Sequence, residues 1–136
     1  LLERKGIRIM EDELPADVYG LSTWADRRLP LMVLDPREGK TTVERLRFTA
    51  AHELAHLLLS FPEESKYSVE TRCDFFASFL LIPKQMFIEE LGAEKREKIT
   101  LEEMIDIKDL YGQSLTASII EARDYGIITT EYKRAW

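Results

Sequence analysis

The chain has 136 residues, 45% of them hydrophobic, and a formal net charge of −6; that length suits one domain with a core of its own. Its 19 basic residues are interspersed among 25 acidic ones, so no basic tract marks direct nucleic-acid binding, and no apolar run is long enough to span a membrane. The single cysteine, Cys73, excludes an internal disulfide and any zinc site built from four cysteines or from two cysteines and two histidines, and a reducing, cytoplasmic setting is the expectation.

In chain order, LLERKGIRIM reads as the end of a helix, a turn at Gly6 and a strand from Ile7 to Met10. After the polar link EDELPADV, the run VYGLSTWADRRLPLMVLDP reads as two short strands around a turn, the second from Leu31 to Leu34 and ended by Asp35-Pro36. From Thr42 the apolar residues recur at helical spacing, which predicts a helix over 43–59 that Pro62 keeps from continuing. A second helix is predicted over 69–81 and a short third over 83–91, ended by Gly92. Thr100 with Glu103 reads as a capping box opening a helix closed by Gly112, and Ser114 opens the last helix, closed by Gly126. The fold class is α+β: mostly helical, with a small sheet near the N-terminus.

The two histidines of the chain, His52 and His56, stand four residues apart in RFTAAHELAHLL, with Glu53 beside the first. Residues i and i+4 share a helix face, so both imidazoles reach one ion, and zinc suits neutral nitrogen ligands. Glu53 is poorly placed as a ligand and well placed to take a proton from a water that the metal acidifies. Alanines and leucines around the motif bury this helix, and buried imidazoles and carboxylates need partners. A metal provides them.

Catalytic zinc usually has three protein ligands, and no third histidine exists. The second helix offers Glu70, Cys73 and Asp74. Glu70 is the expected ligand, with Asp74 behind a ligating imidazole, where it fixes the tautomer; the alternative puts Asp74 on the metal and leaves Glu70 on the surface. Glu63 and Glu64, in the loop beside Pro62, are rivals, and Cys73 reads as a core residue. The same two-histidine, one-carboxylate set also suits manganese or iron. Tyr67, one turn before Glu70, is the nearest phenol that can assist an oxyanion; Tyr19, Arg47 and Tyr125 are further candidates. The strand over 31–34 is expected to offer a sheet edge to an extended substrate, and Trp24 to form a pocket wall or part of the core.

The runs RFTAAHELAHLLL and ETRCDFFASFLLIP resemble the ImmA/IrrE family of zinc metallopeptidase-like proteins. The residues that carry the resemblance are Arg47, Phe48, Thr49, His52, Glu53, His56, Glu70, Cys73, Asp74, Phe76, Ala77, Leu81, Ile82 and Pro83; Cys73 stands where an alanine is common and Ile82 where a methionine is. LLERKGIRIM and SLTASIIEARDYGIIT extend it at lower specificity. The resemblance implies a minimal zincin-like domain spanning 1–136, Zn2+ as cofactor, a cytoplasmic location and cleavage of a repressor in mobile-element control or stress response. It also implies a helix-turn-helix domain upstream or encoded nearby. A zinc-dependent endopeptidase is therefore the expected function; the alternative is a non-catalytic metal-containing regulatory or protein-binding module.

Overall fold

The computed structural model describes residues 1–61, 66–92, 96, 98–112 and 114–129, with the side chains of 66 and 67 excepted. Glu63 and Glu64 therefore lie outside the described residues, as does the chain after Thr129. Two compact units divide the chain, Leu1–Ala77 and Ser78–Trp136.

In the first unit a short 3-10 turn, Glu3–Lys5, ends at Gly6, whose φ of 92° requires a residue without Cβ. Three strands follow, β1 (Arg8–Glu11), β2 (Gly20–Ala25) and β3 (Leu29–Leu34), in the order β1-β3-β2. β1 runs parallel to β3, with Ile9 opposite Met32, while β2 is antiparallel to it, with Ser22 opposite Met32. The β2–β3 turn holds Asp26 and Arg27 at φ of 51° and 57° and closes with the Arg28 N–H donating to the Ala25 carbonyl. Two left-handed central residues match the twist of a hairpin.

The strand expected at a sheet edge, 31–34, is instead the middle strand, hydrogen-bonded on both sides. β1 pairs with it on one side and β2 on the other. Its backbone is committed to β1 and β2 and has no edge to offer.

The helix α1 (Val43–Leu58) starts where Thr42 accepts a hydrogen bond from the Arg45 N–H. It buries Leu54 and Leu57 against Ile7, Met32 and Leu34 of the sheet. The helix α2 (Lys66–Leu81) begins three residues before the expected 69, and Phe76 on it joins the same cluster.

The second unit packs α3 (Lys84–Leu91), α4 (Leu101–Tyr111) and α5 (Leu115–Asp124) around Phe87, Met104, Ile107 and Ile119. The capping box of Thr100 and Glu103 is present, and Gly112 closes α4 at φ 63°. Ser114 caps α5 by accepting from the Ala117 N–H.

At the end of β3, Asp35 is 0% exposed. Its carboxylate accepts from Arg37 Nε at 2.8 Å, from Arg37 Nη2 at 2.6 Å, from Lys40 Nζ at 2.7 Å and from the Leu14 N–H at 2.9 Å. Lys40 Nζ also donates to the carbonyls of Leu14, Pro15 and Val18. This fixes the irregular β1–β2 link to the segment that leads into α1. The Arg37 hydrogen bond, opposed by burial and helped by Lys40, holds the Asp35 carboxyl far below the usual carboxylate range. A depressed value adds stability that is complete above the unfolded-state value of about 3.9 and is lost as pH falls. Asp35→Asn is accordingly expected to lower the thermal midpoint at neutral pH, and the gap to the wild type should narrow in melts run at successively lower pH below about 4.

Candidate metal centre

β2 and α1 run side by side in the same direction, and their contacts keep step. The side chains of Gly20, Ser22 and Trp24 alternate onto one face. A Cβ on Gly20 would lie 2.5 Å from Thr49 Cγ2 and 3.3 Å from Glu53 Cγ. Two residues on, Ser22 Oγ donates to Glu53 Oε2 at 2.6 Å and lies 3.1 Å from the Glu53 carbonyl oxygen. After two more, the Trp24 indole N–H donates to the Leu57 carbonyl at 3.2 Å. Glycine at 20 is therefore a packing requirement, because only a bare Cα lets the strand approach the helix this closely. Glu53 is 8% exposed, and Ser22 supplies the hydrogen bond that a carboxylate needs at such a depth.

The other side of α1 faces α2. His52 Nδ1 donates to Asp74 Oδ1 at 2.8 Å. His52 Nε2 lies 3.1 Å from Glu70 Oε2 and 3.1 Å from His56 Nε2, which is itself 3.6 Å from Glu70 Oε2. The carboxylate of Asp74 can only accept, so the His52 proton sits on Nδ1 and its Nε2 presents a bare lone pair. His52 Nε2 and Glu70 Oε2 are both acceptors here, and with His56 Nε2 they make three atoms able to ligate one cation. Asp74, then the charges of Glu53 and Glu70, raises the His52 pKa against an opposing effect of burial. A zinc ion with ligands at about 2.0–2.1 Å in a tetrahedron spaces its donor atoms at about 3.4 Å, close to the separations seen. These residues fit a metal.

Each expected site residue can now be placed. His52, His56 and Glu70 come together, Asp74 stands behind His52, and Glu53 faces Ser22. Cys73 is buried, as expected of a core residue, but its sulfur also lies within 4.8 Å of both imidazoles. Burial first, then the charges of Glu70, Asp74 and Glu53, pushes its thiol up to about 11. Tyr67 is on the first turn of α2, with its side chain outside the described residues. Tyr19 is covered by the Arg45 guanidinium, 3.8 Å from the ring centre. Tyr125 belongs to the second unit, packing on Phe87 and donating to the Ile82 carbonyl. Arg47 is exposed on α1. The sequence reading missed Gly20 and Ser22. The signal was present in GLSTW, where glycine and a short hydroxyl occupy alternate positions of a strand that has to meet a buried helix.

The family model described as Peptidase_M78, IrrE N-terminal-like domain, matches residues 2–117. The chain belongs to that family. No curated protein matches it. Peptidase_M78 is a family of metallopeptidases, and the matched residues form a metallopeptidase-like domain, with a group of ligand-type residues on α1 and α2. Among the described residues no helix is long and apolar enough to cross a membrane.

Two outcomes are expected from this packing. Gly20→Ala should destabilise the protein by about 1–3 kcal/mol through overpacking, and Thr49→Ser, which removes the crowding methyl, should recover part of that loss in a double-mutant cycle of urea melts. Asp74→Ala should weaken metal binding by about 10–100-fold, measured by competition with a chromogenic chelator.

Proposed function

We propose that this domain is a zinc-dependent endopeptidase of minimal zincin-like architecture, working in the cytoplasm on a peptide bond of a repressor or another regulatory protein. The observation that carries the reading is the convergence of His52 Nε2, His56 Nε2 and Glu70 Oε2 within 3.1–3.6 Å, next to a buried carboxylate on the same helix. Two histidines and a glutamate are an established catalytic zinc set with one position left for substrate or water. When bound, the metal supplies Lewis-acid polarisation of the carbonyl and a nucleophile at neutral pH.

The chain's own groups divide the remaining tasks. Glu53 has Oε2 held by the Ser22 hydroxyl, which leaves Oε1 to take the proton of the attacking water and pass it to the leaving amine. Asp74 keeps the His52 proton on Nδ1 and so keeps Nε2 aimed at the metal. Tyr67 is the proposed donor to the oxyanion, one turn before Glu70 on α2. Among the described residues β2 is paired on one side only, and the strand that touches Glu53 through Ser22 can therefore take an extended substrate on its other side by backbone pairing. The partner is that protein substrate, not nucleic acid or a lipid bilayer.

Glu53→Gln is the deciding variant. It should keep its metal and lose hydrolysis of the target by about 10²–10⁴-fold, read as cleavage of co-expressed repressor on a gel. Full cleavage by this variant would sink the mechanism. A biological response that survives Glu53→Gln would support the non-catalytic regulatory module instead.

A further inference from the structure

Beside His52, His56 and Glu70 lies one sulfur with no role among the groups described so far. Cys73 is the single cysteine of the chain, it is 0% exposed, and its sulfur and one ring nitrogen from each of His52 and His56 lie within 4.8 Å of one another. Glu70 and Cys73 are three residues apart on α2, a spacing that puts both on the side of the helix that meets α1. The Glu70 side chain is 43% exposed, so it reaches the histidines from the solvent side, while Cys73 reaches them from the interior. A pair of imidazoles is thus flanked by a carboxylate and a thiol.

We propose that Cys73 is a fourth protein ligand of this metal, so that the resting centre is closed by His52, His56, Glu70 and Cys73. The inference rests on the metallopeptidase reading and adds regulation to it. On binding, the thiol loses its proton to solvent as the sulfur–metal bond forms, in the sense Cys–SH + M2+ → Cys–S–M+ + H+. A coordinated thiol is deprotonated outright by the ion's charge, and zinc and cobalt bind thiolate sulfur readily. Four protein ligands are the mark of closed, structural zinc sites, whereas catalytic sites keep a position open. Hydrolysis therefore requires the sulfur to leave the metal, and the enzyme is latent until a substrate or partner makes it leave.

The test uses the full chain, reduced and metal-free, titrated with cobalt chloride and separately with zinc chloride. With cobalt, a near-ultraviolet sulfur-to-metal charge-transfer band should rise to saturation at one equivalent. Cys73→Ser and Cys73→Ala should lose that band and keep the visible ligand-field bands; the alanine variant is included because a serine hydroxyl at a fully buried position can disturb folding on its own. X-ray absorption at the zinc edge should show a sulfur neighbour at about 2.3 Å besides nitrogen and oxygen at about 2.0–2.2 Å, a result that stands on the wild type alone. Cobalt bound with ligand-field bands but no sulfur band, and zinc with no sulfur shell, would overturn the role of Cys73 and leave His52, His56 and Glu70 standing. Folded wild type that takes up neither metal would overturn both readings.

Discussion

Two repeats that nearly coincide govern the first unit. Two residues of a strand advance about 6.6 Å, and four residues of an α-helix advance about 6.0 Å. Gly20, Ser22 and Trp24 of β2 can therefore meet Thr49, Glu53 and Leu57 of α1 in turn, one contact per helical turn. The match holds only if the strand comes close, and closeness at the first contact demands glycine. It then brings a hydroxyl to the one buried carboxylate of α1, which would otherwise be a costly group at that depth. An indole at the third contact satisfies a carbonyl near the helix end.

With that side of α1 fixed, the opposite side is free to carry chemistry. His52 Nε2, His56 Nε2 and Glu70 Oε2 converge on one place, an arrangement that a single cation could satisfy. Asp74 holds the His52 proton on the far nitrogen and so leaves Nε2 an acceptor. A helix pair assembled around hydrophobic residues alone would have no reason to gather such groups. The packing face and the ligand-bearing face are thus different sides of one helix: leucines against the sheet, and imidazoles toward α2.

Much of this could be read from residues. The HExxH spacing, the carboxylates four apart on the next helix, the capping box at Thr100 and the closing glycines all depend on local geometry, which a sequence expresses directly. What escaped depends on the third dimension. The central place of β3 follows from which strands pair with it, and a four-residue apolar segment looks the same at the centre or at the edge. The start of α2 at Lys66 escaped because charged and polar residues in a first turn carry no periodic apolar signal. Ser22 lies 31 positions from Glu53, and nothing in either neighbourhood names the other. Cys73 was legible as buried, but being buried and being near two imidazoles are the same observation only once α1 and α2 are set side by side.

The ammonium of Lys40 sits among the carbonyls of Leu14, Pro15 and Val18 and the carboxylate of Asp35. This has a bearing on the order in which the chain can take shape as it is synthesised. The link between β1 and β2 has no regular hydrogen-bonding pattern of its own and borrows its path from a residue made more than twenty positions later. β1 likewise waits for β3, its neighbour in the sheet. At about 5–20 residues per second, the N-terminal segment leaves the ribosome seconds before its partners and passes that interval without a fixed course. The compact charge of a lysine suits this late closure: a point-like cation can converge on four oxygens that have already approached one another, where the flat fork of an arginine could not.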